Sequence, residues 1–154
     1  MENSAIDLKT LIQNGNILYN VEGTNVEQVF ENICNQANLP DYVQPKELYE
    51  GLCERERTIS TAMGYGIAIP HSSKNLIKST EDQRIILCFL KNPIDMKAFD
   101  KLNVNTMFVI LSENPGKHIK ILQKLAMLLQ NADFRKKLGE NPTLEQLQEF
   151  LDKA

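Results

Sequence analysis

An α/β or α+β domain is the fold class this sequence predicts, on three observations. Two short runs of branched and aromatic residues, Ile85 to Leu90 and Thr106 to Leu111, are too brief for helices and read as buried strands. Amphipathic segments with helix-start and helix-stop signals lie on either side of them in the chain. No repeat, low-complexity tract or linker divides the two kinds of segment, so the 154 residues, 1–154, are expected to form one domain around a sheet.

Taken in order, Ser4 with Asp7 predicts a helix start. Ala5, Leu8, Leu11 and Ile12 follow at helical spacing until Asn14-Gly15 stops the run. Ile17 to Val21 predicts a strand. Thr24 and Glu27 predict a capping box ahead of Val26, Val29, Phe30, Ile33, Cys34 and Ala37. Pro45 suits the first turn of a third helix carrying Leu48, Tyr49 and Leu52, which is expected to give way at the charged run Glu54-Arg55-Glu56-Arg57. After a polar, glycine-containing stretch, Gly66-Ile67-Ala68-Ile69 reads as a short strand halted by Pro70, which cannot continue an interior ladder and so leaves His71 at the strand end. Between Pro115 and Gln130 the spacing predicts a helix with Ile119, Leu122, Leu125, Ala126 and Leu129 on one face and His118 in its first turn. A short helical piece around Phe134 to Leu138 closes at Gly139. A last helix starts at Thr143 with Gln146 as its capping partner and Leu144, Leu147, Phe150 and Leu151 facing the core.

Composition removes several function classes. Apolar residues at 42% and charged residues at 24% describe a globular chain rather than a disordered or fibrous one. Seventeen basic against 20 acidic residues leave a net charge of −3, with the bases scattered among acids, so no footprint for nucleic acid exists. Neither a secretory leader nor an apolar run long enough to span a membrane is present, so the protein is expected in the cytoplasm. Cys34, Cys53 and Cys88 are odd in number and widely spaced, which suits buried thiols in a reducing compartment and neither zinc nor a redox pair.

Only two histidines, His71 and His118, offer a group that changes charge near neutral pH. His71 is expected at the carboxyl edge of a sheet, where open α/β folds bind ligands. A neutral imidazole, with an unperturbed pKa of about 6.5, keeps a bare ring nitrogen that attacks phosphorus without a separate base. The helix start at His118 offers hydrogen-bond donors and positive dipole to phosphoryl oxygens. Arg55 or Arg57 would present a planar fork to the same oxygens, although alternating charge runs are usually solvated surface. The glycines of Ser60 to Gly66 lack a Walker lysine and need no more explanation than a turn, and Asp100 and Glu113 have no partner spacing that marks an acid/base pair.

Read together, Arg55-Glu56-Arg57-x-x-Ser60-Thr61-x-x-Gly64-x-Gly66-Ile67-Ala68-Ile69-Pro70-His71 closely resembles the signature of the fructose/mannitol-type enzyme IIA family of the sugar phosphotransferase system. The resemblance continues through Phe99-Asp100, Thr106 to Leu111 and Gly116-Lys117-His118-Ile119-x-x-Leu122-x-x-Leu125-Ala126. It implies a mixed central sheet with helices on both faces. It also implies that His71 takes a phosphoryl group from the carrier HPr and hands it to a cysteine of enzyme IIB, with His118 and Arg55 beside it and Arg57 at a more variable position. No cofactor and no metal are implied. Ser72-Ser73 depart from the family's usual small residue followed by a basic or polar one, at a rim that meets donor and acceptor. A domain standing alone at this length also resembles the nitrogen-regulatory branch, whose members report phosphorylation state to target proteins.

Overall fold

The computed structural model describes residues 7–154. Its chain runs α1 (Leu8–Gly15), β1 (Ile17–Val21), α2 (Val26–Gln36), α3 (Pro45–Thr58), β2 (Ala62–Gly64), β3 (Ile67–Ala68), β4 (Arg84–Ile94), β5 (Val104–Leu111), α4 (Pro115–Leu129), α5 (Ala132–Leu138) and α6 (Leu144–Asp152). The strands form one mixed sheet in the order β1-β4-β5-β3-β2. β1 is parallel to β4 and β3 to β5, whereas β4 and β5, and β2 and β3, run antiparallel.

Period-2 alternation in the two central strands divides the core between the faces of the sheet. On one face Ile86, Cys88, Met107 and Val109 meet Phe30 and Ile33 of α2 and Leu48 and Leu52 of α3. On the other, Ile85, Leu87, Phe89, Phe108 and Ile110 meet Leu8 and Ile12 of α1, Ile121 and Leu125 of α4, Phe134 of α5 and Leu147 of α6. Because both faces are covered there, the middle of each central strand, Ile85 to Leu90 and Met107 to Leu111, is apolar without a break.

Several local expectations are corrected. Asp7 caps α1 by accepting from the Lys9 amide, while the expected contribution of Ser4 and Ala5 lies outside the described residues. Asn25, not Thr24, caps α2, accepting from the Gln28 amide at 2.9 Å; Gln28 reaches back to Thr24, so no box with Glu27 forms. The charged run does not end α3 but makes up its last turns, up to Thr58. β2 was not foreseen, since three residues of pairing leave too little pattern to read. It joins β3 through Gly64, Tyr65 and Gly66, all with positive φ (94°, 59° and 78°), a turn that two glycines make accessible. β4 runs on past Leu90 across a register shift that accommodates Pro93 and exposed Lys91 and Asn92. On α4 the buried stripe is Ile121, Leu125, Leu128 and Leu129, with Ile119 left 53% exposed, because the helix is apolar on more than one side and packing selects the face.

Candidate functional site

His71 extends the line of β3. It forms an isolated parallel bridge with Ile110, and the Ile110 amide donates to the Pro70 carbonyl at 2.9 Å. The ring is half-buried and its Nδ1 lies 3.1 Å from the Ile69 carbonyl oxygen. A carbonyl can only accept, so Nδ1 carries the proton and Nε2 keeps its lone pair. Desolvation holds the His71 pKa below the ordinary value, with a smaller push in the same direction from Arg55. The hydrogen bond to Ile69 and the charge of Glu56 pull the other way.

His118 arrives because α4 begins four residues beyond the end of β5, which is parallel to β3. Its ring stands 4.3 Å from that of His71, centroid to centroid, inclined at 55°. Nδ1 is 3.3 Å from Ser112 Oγ. Nε2 is buried and, among the described residues, has no hydrogen-bond partner. Burial, then the neighbouring His71 and Arg55, push the His118 pKa down to about 4, so this ring too is neutral at physiological pH.

Arg55 lies in the last turn of α3, with Nη1 donating to the Ile59 carbonyl at 2.7 Å, and its charge is felt by both histidines. Arg57 is exposed and acts instead on Cys53. The helix-start amides expected to serve a phosphoryl group are reduced in number. Pro115 has none, and the Lys117 and His118 amides are taken by the Asn114 side chain and carbonyl, which leaves that of Gly116. The three cysteines are buried and free; burial pushes the Cys34 thiol up to about 12. Asp100 is structural, its carboxylate accepting from the amides of Tyr65 and Leu102 at 2.8 and 3.1 Å.

Four contributors were missed. Glu56 accepts from the Thr61 amide and hydroxyl at 3.0 and 2.7 Å, locking the segment that leaves α3. Glu54 accepts from the Ser73 hydroxyl, and the Ser73 amide donates to the Gly51 carbonyl at 3.1 Å, so the loop after His71 is moored on α3. A Cβ on Gly51 would stand 1.9 Å from Ser72 Oγ, which explains a glycine in mid-helix; that glycine was the one readable signal. Ser112, which holds His118, gave no signal. Together these elements enclose a cleft of about 180 Å³ between the two histidines, the Ser72–Ile77 loop and the Ser112–Pro115 turn.

A neutral imidazole at the carboxyl edge of a mixed sheet, beside a second neutral ring and within the field of a guanidinium, is an arrangement chemically able to accept a phosphoryl group on an α/β scaffold. Residues 10–154 match the family described as phosphoenolpyruvate-dependent sugar phosphotransferase system, EIIA 2, and the chain belongs to that family as a phosphoryl-carrying component. A nitrogen regulatory protein of Pseudomonas aeruginosa is 31% identical over 150 residues, covering 95% of each chain. The nitrogen regulatory protein IIA-Ntr of Neisseria meningitidis shares the fold with a TM-score of 0.72 at 24% identity, over 88% of this chain and 92% of that one. Enzyme IIA of the mannitol system of Escherichia coli, solved in complex with phosphorylated enzyme IIB, shares it at 0.70 and 16% identity, over 90% and 95% of the two chains.

Proposed function

We propose that His71 is the phosphorylated residue. Its Nε2 lone pair attacks the phosphorus of a donor phosphohistidine on an HPr-type carrier. The new N–P bond forms as the donor's N–P bond breaks, and the electron pair stays on the donor imidazole. With the donor's other ring nitrogen protonated, the donor leaves as neutral imidazole and no proton has to move: His71 enters neutral, keeps its Nδ1 proton on the Ile69 carbonyl, and its phosphorylated ring takes over the positive charge of the donor ring. That tie to Ile69 is the observation that carries the reading: it leaves Nε2 with its lone pair and holds the ring's orientation. His118, neutral, is proposed to stabilise the transferring group, offering Nε2–H to an equatorial oxygen while the Ser112 hydroxyl donates to its Nδ1. Arg55 is proposed to supply positive charge to the same oxygens, turning from the Ile59 carbonyl when the anion arrives.

The onward step is read as regulatory. The phosphorylated protein is proposed to report its state in the cytoplasm to a target protein whose grip depends on the charge of this face. Similarity to a nitrogen regulatory protein along 95% of both chains supports that branch. The second reading, delivery to the cysteine of a fructose- or mannitol-type enzyme IIB, is supported by the fold shared with a mannitol enzyme IIA bound to its IIB.

Incubation with phosphorylated HPr tests the acceptor. Wild-type protein is expected to take one acid-labile phosphoryl group and His71→Ala none; labelling of the variant would sink the assignment. Adding candidate IIB proteins to the labelled protein separates the branches, since rapid loss of label to one of them favours transport. A partner captured only in one phosphorylation state favours regulation.

A further inference from the structure

Adding a phosphoryl group to His71 places up to two negative charges in a cleft whose described lining contains no carboxylate and one cation, Lys74. In the resting protein the neighbouring cations hold other partners, and Arg55, proposed above to turn toward the anion, does so from outside the cleft lining. Lys117 Nζ sits on Glu113 at 2.7 Å, and the Arg55 guanidinium donates to the Ile59 carbonyl and does not line the cleft. Lys74 differs from both. Its backbone is held, with its amide donating to Ser72 Oγ at 3.0 Å and the preceding Ser73 moored to Gly51 and Glu54 of α3. Its ammonium has no hydrogen bond or ion pair among the described residues.

Resting on the carrier reading above, we infer that Lys74 is a second counter-cation of phosphorylated His71, beside Arg55, closing on the phosphoryl oxygens once the group is in place. The chain geometry allows it, since three residues span at most about 10 Å even when fully extended, which leaves the ammonium within reach of the imidazole edge. The energetics favour it too. An ammonium free of any carboxylate loses no ion pair on turning inward, and its attraction to a dianion is strongest where the cleft wall excludes water. In the unphosphorylated protein the same cation has nothing to hold it, so Lys74 acts on the product of transfer and not on the resting imidazole. It keeps its three protons throughout, and the covalent step is unchanged.

Phosphorus NMR tests this on protein phosphorylated with phosphoramidate, a small-molecule donor that makes the measurement independent of HPr docking. A nearby ammonium depresses the second ionisation of a phosphoryl group, ordinarily near 6. Lys74→Gln is expected to raise that ionisation by about half a unit or more, Lys74→Arg to leave it near the wild-type value, and 0.5 M salt to narrow the difference. Lys74 is exposed, so neither variant should alter the melting temperature. Identical titrations of wild type and Lys74→Gln, with His71 labelled in both, would overturn this inference and leave the carrier reading intact. Failure of wild-type protein to be labelled at His71 would overturn both.

Discussion

His118 Nε2 is a buried ring nitrogen without a partner, in a fold whose other buried polar side-chain atoms are matched among the described residues. Leaving such an atom unpaired costs about 1–3 kcal/mol. On the proposed reading, a phosphoryl oxygen accepting from this nitrogen would remove that cost, so the resting site would be slightly destabilised in a way that favours the charged product. Its effect on stability can be read by titration. With a folded pKa of about 4 against an ordinary 6.5, the unfolded chain binds a proton between these values that the folded chain does not. Stability therefore rises with pH across that window and is lost as pH falls from 6.5 toward 4. In His118→Gln this component is absent, and the drop in melting temperature from pH 7 to pH 4.5 is expected to be smaller than in wild type. An equal drop would mean that the ring is hydrated and titrates normally.

At the scale of elements, α3 does more than cover one face of the sheet. Its last turn carries Arg55, whose charge acts on both histidines. Its middle, at Gly51, receives the loop that follows His71, and Glu54 and Glu56 bind that loop and the segment toward β2. Gly51→Ala would normally gain about 0.5–1 kcal/mol in a helix interior. Here the new Cβ meets Ser72 Oγ at 1.9 Å and Ser72 Cβ at 2.9 Å, and overpacking of that kind costs about 1–3 kcal/mol. The variant is expected to be less stable in urea and to label more slowly at His71, with both defects eased in Gly51→Ala/Ser72→Gly. No rescue by the second change would show that the mooring does not run through Ser72.

At the scale of the whole molecule, the reacting edge is held by a sheet covered on both faces. Phe108 lies on central strand β5, fully buried against α1 and α4, two residues before the Ile110 that pairs with His71. Phe108→Ala is expected to cost about 3–5 kcal/mol, read as a lower urea midpoint with an unchanged slope. A smaller loss would mean that the core collapses around the gap. The lining of the cleft carries no acid among the described residues, and Glu56, whose charge acts on the His71 ring, is an acid that a dianionic group on that ring would feel.

Much of this was legible along the chain. Period and capping signals determined the central strands, the last helix with its Thr143–Gln146 cap, and the helices at Pro45 and Pro115, because these depend on contacts no more than a turn apart. The Pro70-His71 strand end and the surrounding motif likewise marked the candidate nucleophile. Which face of α4 turns inward was decided only by packing, since that helix is apolar on more than one side. The same holds for the two-residue β3, which stands because β5 lies beside it, and for the pairing of His71 with His118, 47 positions apart in the chain. Protonation states and the moorings of Ser72 and Ser73 depend on distances between elements distant in sequence, and such distances exist only once both faces of the sheet are closed.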